Sequence, residues 1–236
     1  MQRILVWDLP IRLFHWLLVV AVSVCLVTGE AEGAAYAAHV AAGYVALVLI
    51  GFRLVWGVIG SRHARFADFL YRPAEVGNYV RGLLRGAARR YIGHNPLGGL
   101  MAVTLILVIG LAVLTGMFGA EEGAPLWPLP AGWGVDVKAL GEAHEVLGNL
   151  SIVLVGLHIL GVAVDYVLTR ENLVWPMVSG RKEMDEATAA HEPALVGAWR
   201  GAVMGVLVLL GGAYLFANTD FAQLAAQQQE NDDNDD

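Results

Sequence analysis

The sequence predicts an all-α membrane protein, and three observations carry that prediction. Hydrophobic residues make up 57% of the 236, and the mean hydropathy is +0.57, above the balance of a water-soluble domain. Five long apolar stretches recur along the chain, over residues 10–29, 36–59, 97–118, 141–168 and 195–217. Basic residues gather in alternate connections between them.

Each apolar stretch is near or above the length of about 20 residues that crosses a hydrocarbon core. No water is available there to satisfy backbone N–H and C=O groups, so each is expected to be a helix. Arg3 and Arg12 flank the start of the first span; Arg62, Arg65, Arg72, Arg81, Arg85, Arg89 and Arg90 fill the second connection; Arg170, Arg181, Lys182 and Arg200 cluster between the fourth and fifth spans. The opposite connections carry Glu30, Glu32, Glu121, Glu122 and Asp136, with Lys138 as their one basic residue. The positive-inside rule therefore predicts a cytoplasmic N-terminus and a periplasmic C-terminus. The net charge of −7 describes neither face. A chain basic on one side and acidic on the other argues against nucleic acid as a partner and for membrane lipid.

Taken in order, the first 38 residues resemble a secretory signal in outline, with Arg3 and Arg12 before an apolar run and Ala35-Tyr36-Ala37 after it. Cleavage there would spoil a charge pattern that alternates correctly across all five spans, so a retained first span is expected. Cys25, the single cysteine, lies in that span. It excludes an intramolecular disulfide and any Cys-ligated zinc or iron–sulfur site, and reads as a small buried hydrophobe. Between the second and third spans, Phe66, Phe69, Leu70, Val76, Tyr79, Val80, Leu83 and Leu84 recur at helical spacing among the arginines. That pattern predicts a basic amphipathic helix on the inner membrane surface, with a solvated basic loop as the alternative beyond Gly86. The third connection holds Pro125, Trp127, Pro128, Pro130 and Trp133; it is too broken for a long helix and reads as a cap with its tryptophans at headgroup level. Beyond the fifth span the chain ends in a Gln-, Asn- and Asp-rich segment expected to be disordered.

Four histidines fall in or at the ends of three spans: His15, His39, His144 and His158. The last two are fourteen residues apart, which on a helix returns to within about 40° of the same face at about 21 Å separation. With the topology above, His15 and His158 lie toward the inner side, and His39 and His144 toward the outer. Ionisable groups are costly in a bilayer and mark function, and imidazole is a common axial ligand of haem iron. Two bis-histidine haem groups inside a helical bundle account for the pairing and the spacing. Gly43 follows His39 by one turn, and Gly148 follows His144 likewise; a missing side chain there admits a flat macrocycle, or serves ordinary close helix packing. Arg53 lies fourteen residues after His39, at the level of the inner pair, where it neutralises a haem propionate or snorkels to the headgroups. His94, in Tyr91-Ile-Gly-His-Asn-Pro, stands at the inner mouth of the third span. It and Tyr91 are candidates to meet a quinone headgroup or a propionate, the alternative being a helix start capped by Asn95 and opened by Pro96. His63 and His191 fall in connections and read as solvated.

Several segments together resemble the bacterial cytochrome b561 family, itself similar to the b-type cytochrome subunit of nickel–iron hydrogenases. They are Val6-Trp-Asp-Leu-Pro-Ile-Arg-Leu-Phe-His15-Trp-Leu, His39-Val-Ala-Ala-Gly-Tyr, Phe52-Arg-Leu-Val-Trp-Gly, Ala143-His144-Glu-Val-Leu-Gly-Asn-Leu and Gly156-Leu-His158. The resemblance covers roughly residues 3–182 and implies a four-helix transmembrane bundle with two b haems, His15 and His158 on the inner iron and His39 and His144 on the outer. Residues 1–182 are thus expected to form a di-haem membrane domain, and residues 183–236 a fifth span with an acidic tail. That extra span departs from the short members of the family; the tail either recruits a basic periplasmic cytochrome c or only keeps the terminus soluble.

The function expected is electron transfer across the bacterial cytoplasmic membrane between the quinone pool and a periplasmic redox partner, a c-type cytochrome or a hydrogenase-like subunit. Two rivals stand beside it. Superoxide oxidation with delivery to quinone predicts a cationic funnel on the outer face, where Lys138 is alone among carboxylates. A haem-free scaffold or transporter predicts no visible absorption.

Overall fold

Helix boundaries follow from caps that lie just outside the apolar runs. In the computed structural model, which describes residues 2–87, 89–119, 125–127, 129–130, 133–184 and 197–226, α1 spans Leu9–Val27. The Asp8 carboxylate accepts the Ile11 backbone N–H at 2.9 Å, and Pro10 occupies the first turn, where no amide is needed. α2 (Gly33–Ile59) starts three residues before its apolar run. Further on, α5 (Pro96–Phe118) opens on Asn95, whose side-chain oxygen accepts the Gly98 N–H at 2.7 Å. α6 (Val137–Thr169) opens on Asp136, which accepts the N–H groups of Lys138 and Ala139 at 3.0 and 3.2 Å. The last long helix, α8, covers Ala198–Ala217. All five are long and apolar enough to cross a membrane, so the helical membrane class read from hydropathy holds.

The chain divides into two compact units, and each long helix contributes a segment to each. The first unit comprises residues 1–15, 52–105 and 153–202. It contains the connection after α2, which begins with a 3-10 turn over Arg62–Ala64, continues with α3 (Phe66–Phe69) and ends in α4 (Pro73–Leu84). α4 is amphipathic: Tyr79 is buried, while Arg81 and Arg85 are exposed. Gly86, at φ 67°, ends it in a left-handed turn; no regular structure follows until Pro96 among the described residues. Gly57 is obligatory for the return, because a Cβ there would stand 2.0 Å from the Phe66 ring.

The first unit also holds elements the sequence pattern does not announce. β1 (Gln2–Leu5) pairs antiparallel with β2 (Arg181–Met184), Leu5 opposite Arg181, and the short helix α7 (Val174–Ser179) leads into β2 through Gly180 at φ 80°. Four-residue strands are too short for alternation to be read against helix periodicity. A buried polar network joins the pieces. Asp165 on α6 accepts hydrogen bonds from Tyr79 Oη at 2.9 Å and Asn95 Nδ2 at 3.4 Å. Lys182 of β2 donates to the Tyr91 carbonyl at 2.6 Å and pairs with Glu171.

The second unit comprises residues 16–51, 106–152 and the chain from 203 on. Tyr44 on α2 is 3% exposed. Its oxygen accepts from Trp127 Nε1 and from Thr219 Oγ1, each at 3.1 Å. That ties the third connection and the segment after α8 to one side chain. Trp133 in the same connection is 68% exposed. Helical turns over 221–226 follow α8, and Phe221 packs on Tyr44 and Phe216. Glu121, Glu122, His191 and the acidic tail lie outside the described residues.

Candidate functional site

In the second unit, α2 carries His39 and α6 carries His144. His39 Nδ1 lies 3.1 Å from the Cys25 carbonyl, and His144 Nδ1 lies 2.7 Å from the Ala112 carbonyl. A carbonyl only accepts, so each ring keeps its proton on Nδ1, and in the neutral imidazole Nε2 presents a lone pair. The two rings face each other at a centroid separation of 5.9 Å and an interplanar angle of 89°. Two imidazoles on one metal through bonds of about 2 Å place their ring centres on the order of 6 Å apart. Anchoring the second nitrogen on a backbone carbonyl is the arrangement that orients metal-ligating histidine.

Space around the pair is set by glycine. At Gly116 on α5 a Cβ would stand 2.6 Å from the His144 ring, so only glycine lets that imidazole lie there. At Gly43 and Gly148 an added Cβ meets nothing within 4 Å, which leaves open space one turn along from each histidine. Donor chemistry and room together fit a haem held by His39 and His144. Among the described residues no group of three or more His, Cys, Asp or Glu is arranged to hold a bare metal ion.

In the first unit, His15 on α1 and His158 on α6 stand close enough to interact electrostatically. Arg53 on α2 is 2% exposed. Its guanidinium lies over the Phe66 and Phe69 rings, at 4.7 and 5.5 Å from their centroids. Snorkelling does not describe a side chain enclosed in this way. Its Nη1 is buried with no hydrogen-bond partner among the described residues, a donor that fits an acidic group such as a propionate.

His94 packs edge-on against Trp7 at 4.8 Å and lies tilted against Phe69 at 4.5 Å. Burial first, then the charge of Arg53, pushes its imidazole down to about 3, so it is neutral. Its Nδ1 also has no hydrogen-bond partner among the described residues. Asn95 and Pro96 do open α5, so the capping motif and a buried histidine coexist. The Tyr91 ring packs with Tyr71 and Tyr79, each at 5.7 Å, and its carbonyl receives Lys182.

One reading is corrected. His63 is not solvated: it is 5% exposed, and its Nδ1 lies 2.6 Å from Asp68 Oδ2. Burial pushes the Asp68 carboxyl up, but the hydrogen bond and charge of His63, with Arg62, outweigh it and hold the carboxyl below its ordinary range. Sequence reasoning missed His63 because a connection between apolar spans reads as solvent. It missed Cys25 and Ala112 because they act through backbone carbonyls, and Gly116 because its neighbour comes from another helix.

The family described as prokaryotic cytochrome b561 matches residues 6–180. Among curated proteins, a probable Ni/Fe-hydrogenase B-type cytochrome subunit of Azotobacter chroococcum mcd 1 is 30% identical over 210 residues, covering 74% of this chain and 86% of that one. Its counterpart in Rhodobacter capsulatus is 29% identical over 213 residues, 75% of this chain and 80% of that one. A probable Ni/Fe-hydrogenase 1 B-type cytochrome subunit of Escherichia coli (strain K12) is 28% identical over 137 residues, 47% and 57% of the two chains. No solved structure matches significantly.

Proposed function

The chain belongs to the prokaryotic cytochrome b561 family, and from that premise we propose that it passes electrons between the quinone pool and a periplasmic redox protein through two haem b groups. The coarser statement follows from the family itself: this is a multi-pass bacterial membrane cytochrome of b type, acting in transmembrane electron transfer. The observation that carries the finer reading is the His39–His144 pair, each Nδ1 on a carbonyl and the rings 5.9 Å apart.

Haem b, when bound, supplies reversible one-electron chemistry at iron. His39 and His144 hold one group through Nε2, with the Cys25 and Ala112 carbonyls maintaining the tautomer; Gly43 and Gly148 leave room beside them. His15 and His158 hold the second, and Arg53 balances the charge of a propionate by charge-assisted hydrogen bonds. With two imidazoles offered to each group, these residues would favour outer-sphere transfer over chemistry on a bound ligand. The loop charges support a cytoplasmic N-terminus, with His15 and His158 inner and His39 and His144 outer. Relatives named as hydrogenase cytochrome subunits favour a hydrogenase-like subunit as the redox partner, with a c-type cytochrome as the other candidate. His94, in the unit of His15 and His158, is the position for a quinone headgroup, and Tyr91 borders the same connection.

The test is haem quantification with a reduced-minus-oxidised spectrum of the purified wild type and of His144→Ala. Two haems per chain falling to one supports the scheme. Two haems persisting in the variant, or absence of a b-type band in the wild type, overturns it.

A further inference from the structure

Among the buried nitrogens of the first unit that have no hydrogen-bond partner among the described residues are Arg53 Nη1, His63 Nε2 and His94 Nδ1. All three belong to residues packed around a single helical turn, α3. Arg53 lies over Phe66 and Phe69, His94 stacks on Phe69, and His63 is bonded to Asp68. A Cβ at Gly93 would stand 3.2 Å from His63 Nδ1, which brings the connection carrying His94 against the same imidazole.

The His63–Asp68 pair is built as a link between water and this interior. The Asp68 side chain is 26% exposed and the His63 side chain 6%. Since a carboxylate accepts, the Nδ1 proton points to Asp68 and the ring's other edge is turned away from it. A carboxylate that orients an imidazole, leaving the far nitrogen free to exchange a proton, is the arrangement of a general acid–base relay. A staple for the turn would need the Asp68 contact and no more, and burying a second unpartnered nitrogen is costly.

We propose that His63, positioned by Asp68, exchanges the proton of a quinone bound against the α3 turn. This deepens the proposed function and rests on its quinone reading. Reduction of one para-quinone takes two electrons, arriving singly from the haem of the first unit, and two protons, yielding the quinol. As an imidazolium balanced by Asp68, His63 gives its Nε2 proton to one reduced quinone oxygen and keeps the Nδ1 proton toward Asp68; Nε2 regains a proton from water as the quinol leaves, and the other quinone oxygen takes its proton from water. Each quinol oxidised reverses the step, the proton passing to His63 and on to water. The charged and titratable groups around the ring are Asp68 and Arg62 on its own connection, Arg53 from α2 and His94 from the segment before α5.

The experiment uses the full-length, haem-loaded protein in lipid nanodiscs. Haem reduction is followed after mixing with a benzoquinol or a naphthoquinol across the histidine range, about pH 5 to 8. In His63→Gln the quinol-driven rate falls about 100-fold, while the spectrum and the rate with dithionite, which requires no proton relay, stay at wild-type values. In Asp68→Asn the pH profile is displaced while the dithionite spectrum is unchanged; this variant decides the matter if His63→Gln does not fold. Wild-type rates and pH profiles in both variants overturn the proposal and leave the quinone reading standing. A wild type inert to both quinols, yet reducible by dithionite, overturns the quinone reading and the proposal with it.

Discussion

His39 and His144 meet with ring planes at 89° and centroids 5.9 Å apart, each held by one backbone carbonyl, of Cys25 and Ala112 respectively. Neither carbonyl belongs to the helix that carries its histidine, so the pairing depends on how α1 and α5 pack beside α2 and α6. At Gly116 that packing is tight enough to require glycine. Gly116→Ala puts a methyl group 2.6 Å from the His144 ring, an overpacking expected to cost about 1–3 kcal/mol. The expected result is loss of one haem per chain, read by pyridine haemochrome assay, with the other retained. Full occupancy in the variant would show that His144 moves freely without consequence.

Arg53 is enclosed beneath Phe66 and Phe69 with a free Nη1. A fixed positive charge near a haem stabilises the reduced, less positive form. Arg53→Met is therefore expected to lower one of the two midpoint potentials by on the order of 50 mV, and Arg53→Lys by less. Potentiometric titration of the α-band measures both. An unchanged pair of potentials in Arg53→Met removes Arg53 from the cofactor's surroundings.

Burial holds the His94 imidazole neutral down to about pH 3, against 6.5 in the unfolded chain. Between those values the unfolded state binds a proton that the folded state does not, so stability rises with pH across that window. His94 thus contributes no penalty above about 6.5 and a growing one as the pH falls below it, at most about 1.4 kcal/mol per pH unit. His94→Phe keeps the packing on Trp7 and Phe69 and removes the titration. Melting temperatures measured from pH 7 downward should fall less steeply for that variant than for the wild type; parallel curves would refute the assignment.

Tyr79 links α4 to the buried Asp165 of α6 at 2.9 Å. Tyr79→Phe keeps the ring against Tyr91 and leaves one carboxylate oxygen with a single long contact from Asn95. The expected loss is about 1–3 kcal/mol, seen as a lower melting temperature and faster proteolysis between Arg72 and Arg90. Haem content should stay at the wild-type value, because Tyr79 touches none of the four paired histidines.

Much of the fold was legible because membrane helices leave a signal in one dimension. A span must be apolar along its whole length, and the positive charges of Arg62 through Arg90 mark one class of connection irrespective of neighbours. One cap was legible too: Asn95 acts through its own side chain three residues away. β1 and β2 were not, since residues 2 and 184 become partners only when the chain closes on itself.

For the candidate site, the residue types that carry chemistry stand in the sequence, and the four histidines and Arg53 can be named from it. Their surroundings cannot. A histidine in a connection reads as solvated until Asp68 and Gly93 are seen against it, which is why the pattern alone does not place His63 in the interior. The carbonyls of Cys25 and Ala112 have no side-chain signature at all.

By itself, the sequence determined that this chain crosses a membrane through five helices and which ionisable groups those helices carry, because hydropathy and loop charge are sums over local residues. Only the tertiary structure decided which nitrogen of His39 and His144 is free, that Arg53 is enclosed and that His63 is buried against Asp68. Each of those is a contact between segments far apart in the chain, made by close packing, and close packing has no local code.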